Sequence, residues 1–288
     1  MFGPIHRKAS GGARAHLPDT VLRGISIAAL FQPLLFMALL LAASAAVADT
    51  MPWNETGTTV SFLDINESSA TDPLPLFGEP TVSGNQLLFA PASFASYSQN
   101  LSSDQTNSHL QMTIAIQPGQ ATGITNLLFT EEGDYTLVGA PTTLANASVA
   151  TPVTLMINDD SSLVMSAYMT FSSMPVGSST FTSHSGSFSL AGDGGVGILW
   201  EGQLDADIGA FLEKENYSSP ATQITVSLDD ALCTWSTAGA SADVEKKLFD
   251  IVATTSSVPE PGTIALLVAA AAALGMHVWR RRLRRAPS

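Results

Sequence analysis

Histidine is a common general base, and the stretch between residues 49 and 257 contains two, His109 and His184. His184 stands among serines, and aspartates are frequent, so a Ser-His-Asp arrangement can be drawn from the sequence. No Gly-x-Ser-x-Gly sequence marks a nucleophilic serine, however. We therefore interpret His184 as a solvated residue on a strand face or in a loop, and we predict no catalytic residue.

Carboxylates are the second set of candidates, because paired acids hydrolyse glycosides and loop acids bind calcium. With 25 Asp and Glu in 288 residues, close pairs such as Asp205 and Asp207 are expected by chance. The best calcium ligands would be these two together with Asp159, Asp160 and Asp193, but no Asp-x-Asp-x-Asp-Gly loop groups them. A structural calcium ion stays an alternative, and we predict no metal ligand and no cofactor.

Aromatic and sulfur side chains offer two further kinds of site. Trp53, Trp200 and Trp235 could stack on sugar rings if all three were exposed together, although Trp200 follows an apolar run and is expected in the core. Cys233 is the one cysteine of the chain, which excludes an internal disulfide and a cysteine-rich metal cluster. We expect Cys233 to be a small buried residue.

The charges of the chain are distributed unevenly. Four of the 12 Lys and Arg precede residue 49 and five follow residue 279, which leaves three lysines against 23 carboxylates in residues 49–258, a net charge of −20. A segment so acidic and without arginine cannot neutralise phosphates, so nucleic acid is excluded as a partner. The acidity would instead keep an exported domain soluble.

Residues 1–48 have the pattern of an export signal. Basic residues precede an apolar stretch, 25–47, which ends on the small-x-small sequence Ala46-Val47-Ala48. Such a sequence is typical of signal-peptidase cleavage, and we predict cleavage after Ala48. The alternative is an uncleaved anchor, because the stretch is long enough to span a bilayer. Either way, the chain that follows is exported.

The C-terminus has three parts in a fixed order. Its first part is Val258-Pro259-Glu260-Pro261, where the prolines impose an extended backbone. The second is an apolar segment, 264–279, at the short end of what spans a bilayer. The third is a stop-transfer flank that stays cytoplasmic, formed by Arg280, Arg281, Arg282, Arg284 and Arg285.

This tail resembles the PEP-CTERM sorting signal of Gram-negative bacteria, in which a Pro-Glu-Pro motif, a short transmembrane helix and an Arg-rich end are recognised by an exosortase. All three parts lie in order within residues 258–288. The resemblance implies that Pro259, Glu260 and Pro261 form the recognition site, with cleavage near them, and that the protein reaches the cell surface and its exopolysaccharide. The alternative is an ordinary single-pass anchor with a chance Pro-Glu-Pro.

Between the two signals, residues 49–257 are predicted to be all-β. Short segments alternate apolar and polar residues, and Met112, Ile114 and Ile116 fall on one face of such a segment. Many half-apolar strands separated by turns favour an antiparallel β-sandwich or jelly-roll-like fold.

A few segments of this body are predicted not to be strands. The sequence Glu-Glu-Gly-Asp at 131–134 has turn composition. Residues 66–80 and 91–108 are expected to be long loops, because they are rich in Pro, Ser and Asn. Residues 205–214 are expected to be a short helix.

These patterns together predict a non-enzymatic exported protein with a signal peptide (1–48), a β-sandwich ectodomain (49–257) and a sorting signal (258–288). Its expected partners are signal peptidase, an exosortase-like enzyme and the membrane. Its expected location is the membrane at first, then the cell surface or the extracellular matrix after processing. The alternative function is an exopolysaccharide-binding module, with or without calcium.

Overall fold

Strands that alternate apolar and polar residues make up most of this chain. The computed structural model describes residues 47–48, 52–257, 271 and 274. Within those residues, two antiparallel sheets form a sandwich-like fold. The predicted all-β, sandwich-like class is therefore confirmed for this part of the chain.

The first sheet, called sheet A, has nine strands in the described part of the chain. They are β1 (Val47–Ala48), β2 (Trp53–Thr56), β3 (Val60–Ser69), β7 (Ser103–Ile116), β9 (Ala145–Ala150), β10 (Pro152–Ile157), β11 (Val164–Tyr168), β14 (Ser187–Ser189) and β16 (Gln223–Ser236). The main path runs β1-β3-β7-β16-β10-β11, and β9 joins β14 to β16.

The second sheet, sheet B, has eight strands within the same residues. They are β4 (Thr81–Ser83), β5 (Gln86–Phe89), β6 (Ala95–Gln99), β8 (Ala121–Gly139), β12 (Thr170–Ser173), β13 (Thr182–His184), β15 (Gly195–Asp207) and β17 (Ala240–Ser257). The path is β13-β12-β15-β8-β17-β5-β4, with β6 paired to β17. Two short helices, α1 (Leu190–Asp193) and α2 (Ile208–Lys214), lie on either side of β15 in the sequence.

The inner faces of the two sheets supply one apolar core. On β7, Met112 and Ile114 are buried and Ile116 packs against the core, as the alternation predicted. Removing these side chains from water is the main favourable contribution to folding. Some polar side chains face inward as well, and the two sheets fix their positions in the same way.

The predicted turn at 131–134 is wrong, because these residues lie in the middle of β8. This strand pairs with β15 on one side and β17 on the other, so its backbone groups are satisfied as a central strand. Gly133 is needed for packing, since a Cβ there would come 2.6 Å from Cζ2 of Trp200. The glycine therefore makes room for a buried indole.

The long-loop predictions need a similar correction. Residues 91–108 contain β6 and the first part of β7, and β3 extends into 66–80 as far as Ser69. The predicted helix is shorter than expected: it begins at Ile208, and Asp207 caps it by accepting a hydrogen bond from the backbone N–H of Ala210 at 2.8 Å. The preceding residues continue β15.

None of the helices in the described residues is long and apolar enough to cross a membrane. The predicted membrane segment, 264–279, lies outside those residues except at two positions, Ala271 and Leu274, which are helical and exposed.

Candidate functional site

The predicted processing and stop-transfer residues lie outside the described part of the chain, apart from Ala48. They are Ala46, Pro259, Glu260, Pro261, Arg280, Arg281, Arg282, Arg284 and Arg285. Ala48 belongs to β1, a two-residue edge strand that pairs with the end of β3 at Ser68 and Ser69. At the other end of the body, β17 ends at Ser257, directly before the tail.

His184 lies on the strand β13, one of the two placements predicted, but its side chain is half-buried, so the prediction that it is solvated is wrong. Its ring stacks on Phe188, which is fully buried, with centroids 4.6 Å apart. Its Nε2 lies 3.3 Å from Oδ1 of Asp193, whose Oδ2 accepts a 2.9 Å hydrogen bond from the backbone N–H of Ser189. The aspartate thus lies between serine and histidine, whereas a nucleophilic triad needs the histidine in the middle.

The same aromatic stack continues to Tyr135, whose ring lies 4.1 Å from that of Phe188. Burial, together with the charge of Asp193, raises the pKa of Tyr135 to about 12, although a hydrogen bond with Ser173 acts in the opposite direction. Tyr135 therefore stays neutral at physiological pH and acts as a packed core residue.

His109 forms an exposed cross-strand pair with Asp229 on the outer face of sheet A. Its Nδ1 lies 2.7 Å from Oδ1 of Asp229. The hydrogen bond with Asp229 raises the pKa of His109, burial opposes this, and the charge of Asp229 adds to the rise. Both side chains are well exposed, at 39% and 62%, so solvent screening keeps the pair weak.

The predicted calcium ligands are engaged in local hydrogen bonds. Asp159 accepts from Nε2 of Gln223, Asp160 from the N–H and Oγ of Ser162, Asp193 from Ser189, Asp205 from Nδ2 of Asn126, and Asp207 from Ala210. The bonds from Ser162 lower the pKa of Asp160. In the described ranges no three His, Cys, Asp or Glu are grouped so that they could hold a metal ion.

The three tryptophans are not exposed together. Trp200 is 1% exposed, as predicted for a core residue, Trp53 is half-buried against the core, and Trp235 is 39% exposed. Cys233 is partly buried, and burial raises the pKa of its thiol to about 11, with a smaller contribution from the charge of Asp104. The thiol is therefore protonated and unreactive at neutral pH.

The most unusual site is a buried ionic cluster that the sequence analysis missed. Lys246 on β17 contacts Glu131 on β8 in the same sheet and Asp230 on β16 in the opposite sheet through its Nζ atom. All three side chains are essentially inaccessible, with 0–1% exposure. We call these three residues the buried cluster.

Phenylalanine rings enclose the ammonium of this cluster. The Nζ atom of Lys246 lies 5.6, 5.3 and 5.6 Å from the ring centroids of Phe77, Phe94 and Phe249. Rings at this distance attract a cation and exclude water. The buried carboxylate of Glu67 holds the loop carrying Phe77, because its Oε1 accepts hydrogen bonds from the backbone N–H groups of Leu76 and Phe77 at 2.9 and 3.1 Å.

The carboxylate of Glu131 is positioned by its surroundings. Oε1 of Glu131 accepts a 2.8 Å hydrogen bond from Oγ1 of Thr151. Opposite it on β15 stands Gly202, where a Cβ would come 2.8 Å from Cγ of Glu131. The glycine thus leaves the space that the Glu131 side chain occupies.

The protonation of the cluster follows from its burial. Burial raises the pKa of Asp230 to about 7, and the charge of Glu131 adds to the rise, while Lys246 opposes both. Burial alone would lower the pKa of Lys246, but the two carboxylates outweigh it and raise that pKa. With a proton on Asp230, one ammonium faces one carboxylate and one neutral acid, which gives a buried group with no net charge.

Alternation alone could have marked each member of this cluster as facing inward. Each member occupies an inward position of its strand, between apolar neighbours two residues away: Phe129 and Gly133 around Glu131, Leu228 and Leu232 around Asp230, and Val244 before Lys246. A charged residue at an inward position of a strand marks a buried pair or a functional group. The turn prediction at 131–134 hid this signal.

The outer face of sheet B carries another acid pair. Glu132 on β8 and Glu201 on β15 stand directly opposite each other, and Glu201 accepts a 2.9 Å hydrogen bond from Oγ of Ser172. Asp205 and Asp207 lie further along the same strand, where each already has the hydrogen-bond partner given above. Acids on this exposed face contribute to the acidity that the composition predicts.

Comparison with known proteins places the chain in no family. No family model matches it, and no curated protein matches it. Among solved structures, the chain is similar to the X-ray crystal structure of the Trichoderma harzianum endoglucanase 3, which is from family GH12. The sequence identity is 11%, and the alignment covers 74% of this chain and 99% of that chain, with a TM-score of 0.17. A TM-score that low carries no argument about fold or activity.

Proposed function

We propose that this chain is a non-enzymatic cell-surface or extracellular-matrix protein, exported by residues 1–48 and sorted by residues 258–288. In this proposal, an exosortase-like enzyme processes the chain at Pro259-Glu260-Pro261, and the body leaves the membrane for the surface. The body is a jelly-roll-like form of the sandwich, flanked by a signal peptide and a transmembrane helix.

The observation that carries the proposal is the position of β17, the last strand of the described residues. β17 ends at Ser257 after pairing with β8 along its whole length, and the Pro-Glu-Pro motif begins two residues later. Cleavage near the motif would therefore leave both sheets intact. A removable signal must not supply residues that the folded domain needs, and the described strands of both sheets end before the tail begins.

The N-terminal end of the body supports export in the same way. Cleavage after Ala48 would remove β1, which is a two-residue strand at the edge of sheet A. The strand it pairs with, β3, would keep β7 on its other side and β2 along part of the same edge. Loss of β1 therefore removes little of the sheet.

Fewer observations support the alternative function, an exopolysaccharide-binding module. Of the tryptophans that could stack on sugar rings, Trp235 is 39% exposed while Trp200 is buried. The aspartates offered as calcium ligands have the local hydrogen-bond partners described above. Contact with exopolysaccharide enters the proposal as a consequence of where the protein is displayed.

The proposal is tested by changing the motif in the native host and comparing membrane, surface and medium fractions. Glu260→Gln should leave more full-length chain in the membrane than wild type, because the acid of the recognition motif is lost. Glu213→Gln, at an exposed position of α2, is the matched control and should be sorted normally. Equal release of both variants would contradict recognition at Pro-Glu-Pro.

A further inference from the structure

The buried cluster places an amine, a carboxylic acid and a carboxylate in contact inside a dry core. Lys246 supplies the amine, and both Asp230 and Glu131 contact its Nζ atom. These are the reacting groups and the proton acceptor that amide formation requires. We propose that Lys246 and Asp230 condense into an intramolecular isopeptide bond between Nζ and Cγ, with Glu131 as the proton carrier.

The fold holds the two reacting groups close together. The two reacting groups lie on different sheets, 16 residues apart in the sequence, and the packing of the sandwich holds them together. Groups fixed in this way react as if at an effective concentration of about 10⁵–10⁸ M. The phenylalanine rings around Nζ keep out the water that would otherwise favour hydrolysis of the product.

The distribution of protons in the buried cluster favours the reaction. Because the pKa of Asp230 is raised to about 7, chiefly by burial, the acid carries a proton in a large share of molecules at neutral pH. A carboxylic acid is attacked by an amine, whereas a carboxylate repels it. Glu131 is the second carboxylate, held by Thr151, and it can accept the proton that the ammonium must lose.

The hydrogen bonds of Asp230 also favour the amide. The hydroxyl of Thr151 lies near both acids, but its hydrogen bond goes to Oε1 of Glu131 at 2.8 Å, which leaves the buried Oδ1 of Asp230 without a donor among the described residues. A buried carboxylate oxygen without a donor is costly. The amide would remove one of the two oxygens of Asp230 as water and would replace an ion pair by a neutral group.

The step balances without any co-reactant. Glu131 takes one proton from the ammonium of Lys246, and the freed lone pair on Nζ attacks Cγ of the protonated Asp230. Glu131 passes its proton to the departing hydroxyl, which leaves as water, and takes a second proton from the nitrogen. The products are a neutral amide, a protonated Glu131 and one water, and the net charge of the cluster is zero before and after.

Such a bond would serve a chain that has no disulfide. With Cys233 as its one cysteine, the chain cannot cross-link itself through sulfur. The isopeptide bond would tie β16 of sheet A to β17 of sheet B through the core. An exported domain would then resist unfolding by a covalent link that reducing agents do not cut.

The bond is tested by peptide mapping of the full chain purified in folded form. Trypsin cleaves after Lys214, Lys246, Lys247 and Arg280, and it does not cleave after an amidated lysine. We expect a peptide spanning 215–247 that is one water lighter than its sequence mass. Further cleavage by chymotrypsin at Trp235 should leave the two fragments joined through Asp230 and Lys246.

Four single-residue variants test which side chains form the bond and which carries the proton. Lys247→Arg, next to the reacting lysine, should keep the cross-link, whereas Lys246→Arg and Asp230→Ala should lose it. Glu131→Gln should lose most of it, because glutamine cannot carry the proton, and full cross-linking in that variant would overturn the role of Glu131. A wild-type digest that yields peptide 215–246 at its full sequence mass would overturn the proposal, whatever the variants do.

Discussion

Asp230 on β16 contacts Lys246 on β17 across the space between the two sheets, so an acid and an amine lie where a sandwich normally holds only apolar side chains. Glu131 joins the same ammonium from within sheet B. Burying charges costs free energy unless each finds a partner, so the three residues depend on one another. The core of this protein is therefore sensitive to the loss of any one of them.

Replacing Lys246 with Met should strongly destabilise the protein. Glu131 and Asp230 would then face each other in the core without a cation to offset the buried charge, and the expected loss is about 3–5 kcal/mol in the free energy of unfolding. Urea denaturation at pH 7 measures it. Lys247→Met is the control, because that side chain is 49% exposed and pairs with Asp134 at the surface, where a pair contributes at most about 1 kcal/mol. Equal stability of the two variants would contradict the buried pairing.

Replacing Gly202 with Ala should disturb the buried cluster at Glu131, which Gly202 faces from the neighbouring strand β15. The new Cβ would come 2.8 Å from Cγ of Glu131 and 2.8 Å from Cε1 of Phe171, both inside the core. Overpacking of this kind costs about 1–3 kcal/mol. Gly209→Ala in α2 is the control, since its nearest neighbour is 3.4 Å away and alanine favours a helix. The midpoint of thermal unfolding should be lower for Gly202→Ala than for Gly209→Ala. A Gly202→Ala protein as stable as wild type would show that the side chain of Glu131 is not confined at this position.

The pair of His109 and Asp229 should make stability depend weakly on pH. The hydrogen bond that Nδ1 of His109 donates to Asp229 raises the pKa of His109 above 6.5 in the folded state. The stabilisation is therefore fully present below pH 6.5 and is lost as the pH rises through the folded-state value. Because both groups are well exposed, the change should stay below about 1 kcal/mol.

This dependence is measured by urea denaturation at several pH values between 5.5 and 8.5, in wild type and Asp229→Asn. The wild type should lose stability relative to the variant as the pH rises. Parallel curves for the two proteins would show that the pair contributes nothing.

Much of the fold could be predicted from local alternation. The inward residues of β16, Ile224, Val226 and Leu228, are all fully buried. The acidic segment at 131–134 was mistaken for a turn because its composition is that of a turn. It is a strand because β15 and β17 pair with it on both sides, and those pairings are not local.

The buried cluster was out of reach for a related reason. Alternation could place each charged residue inward, but Glu131 and Lys246 are 115 residues apart. Which inward positions meet depends on the order of strands in two sheets, and that order is set by the packing of the whole core. The motifs that predict the sorting signals, by contrast, are visible in the sequence, because residues in a fixed order need no tertiary contact to be recognised.

The most direct test of the account is the intact mass of the protein from its native host, measured separately in membrane, surface and medium fractions. The account predicts a surface or medium species that begins at Asp49 and ends near Glu260. A species that still contains residues 264–285 and is found only in the membrane fraction would contradict sorting and would indicate a plain single-pass anchor.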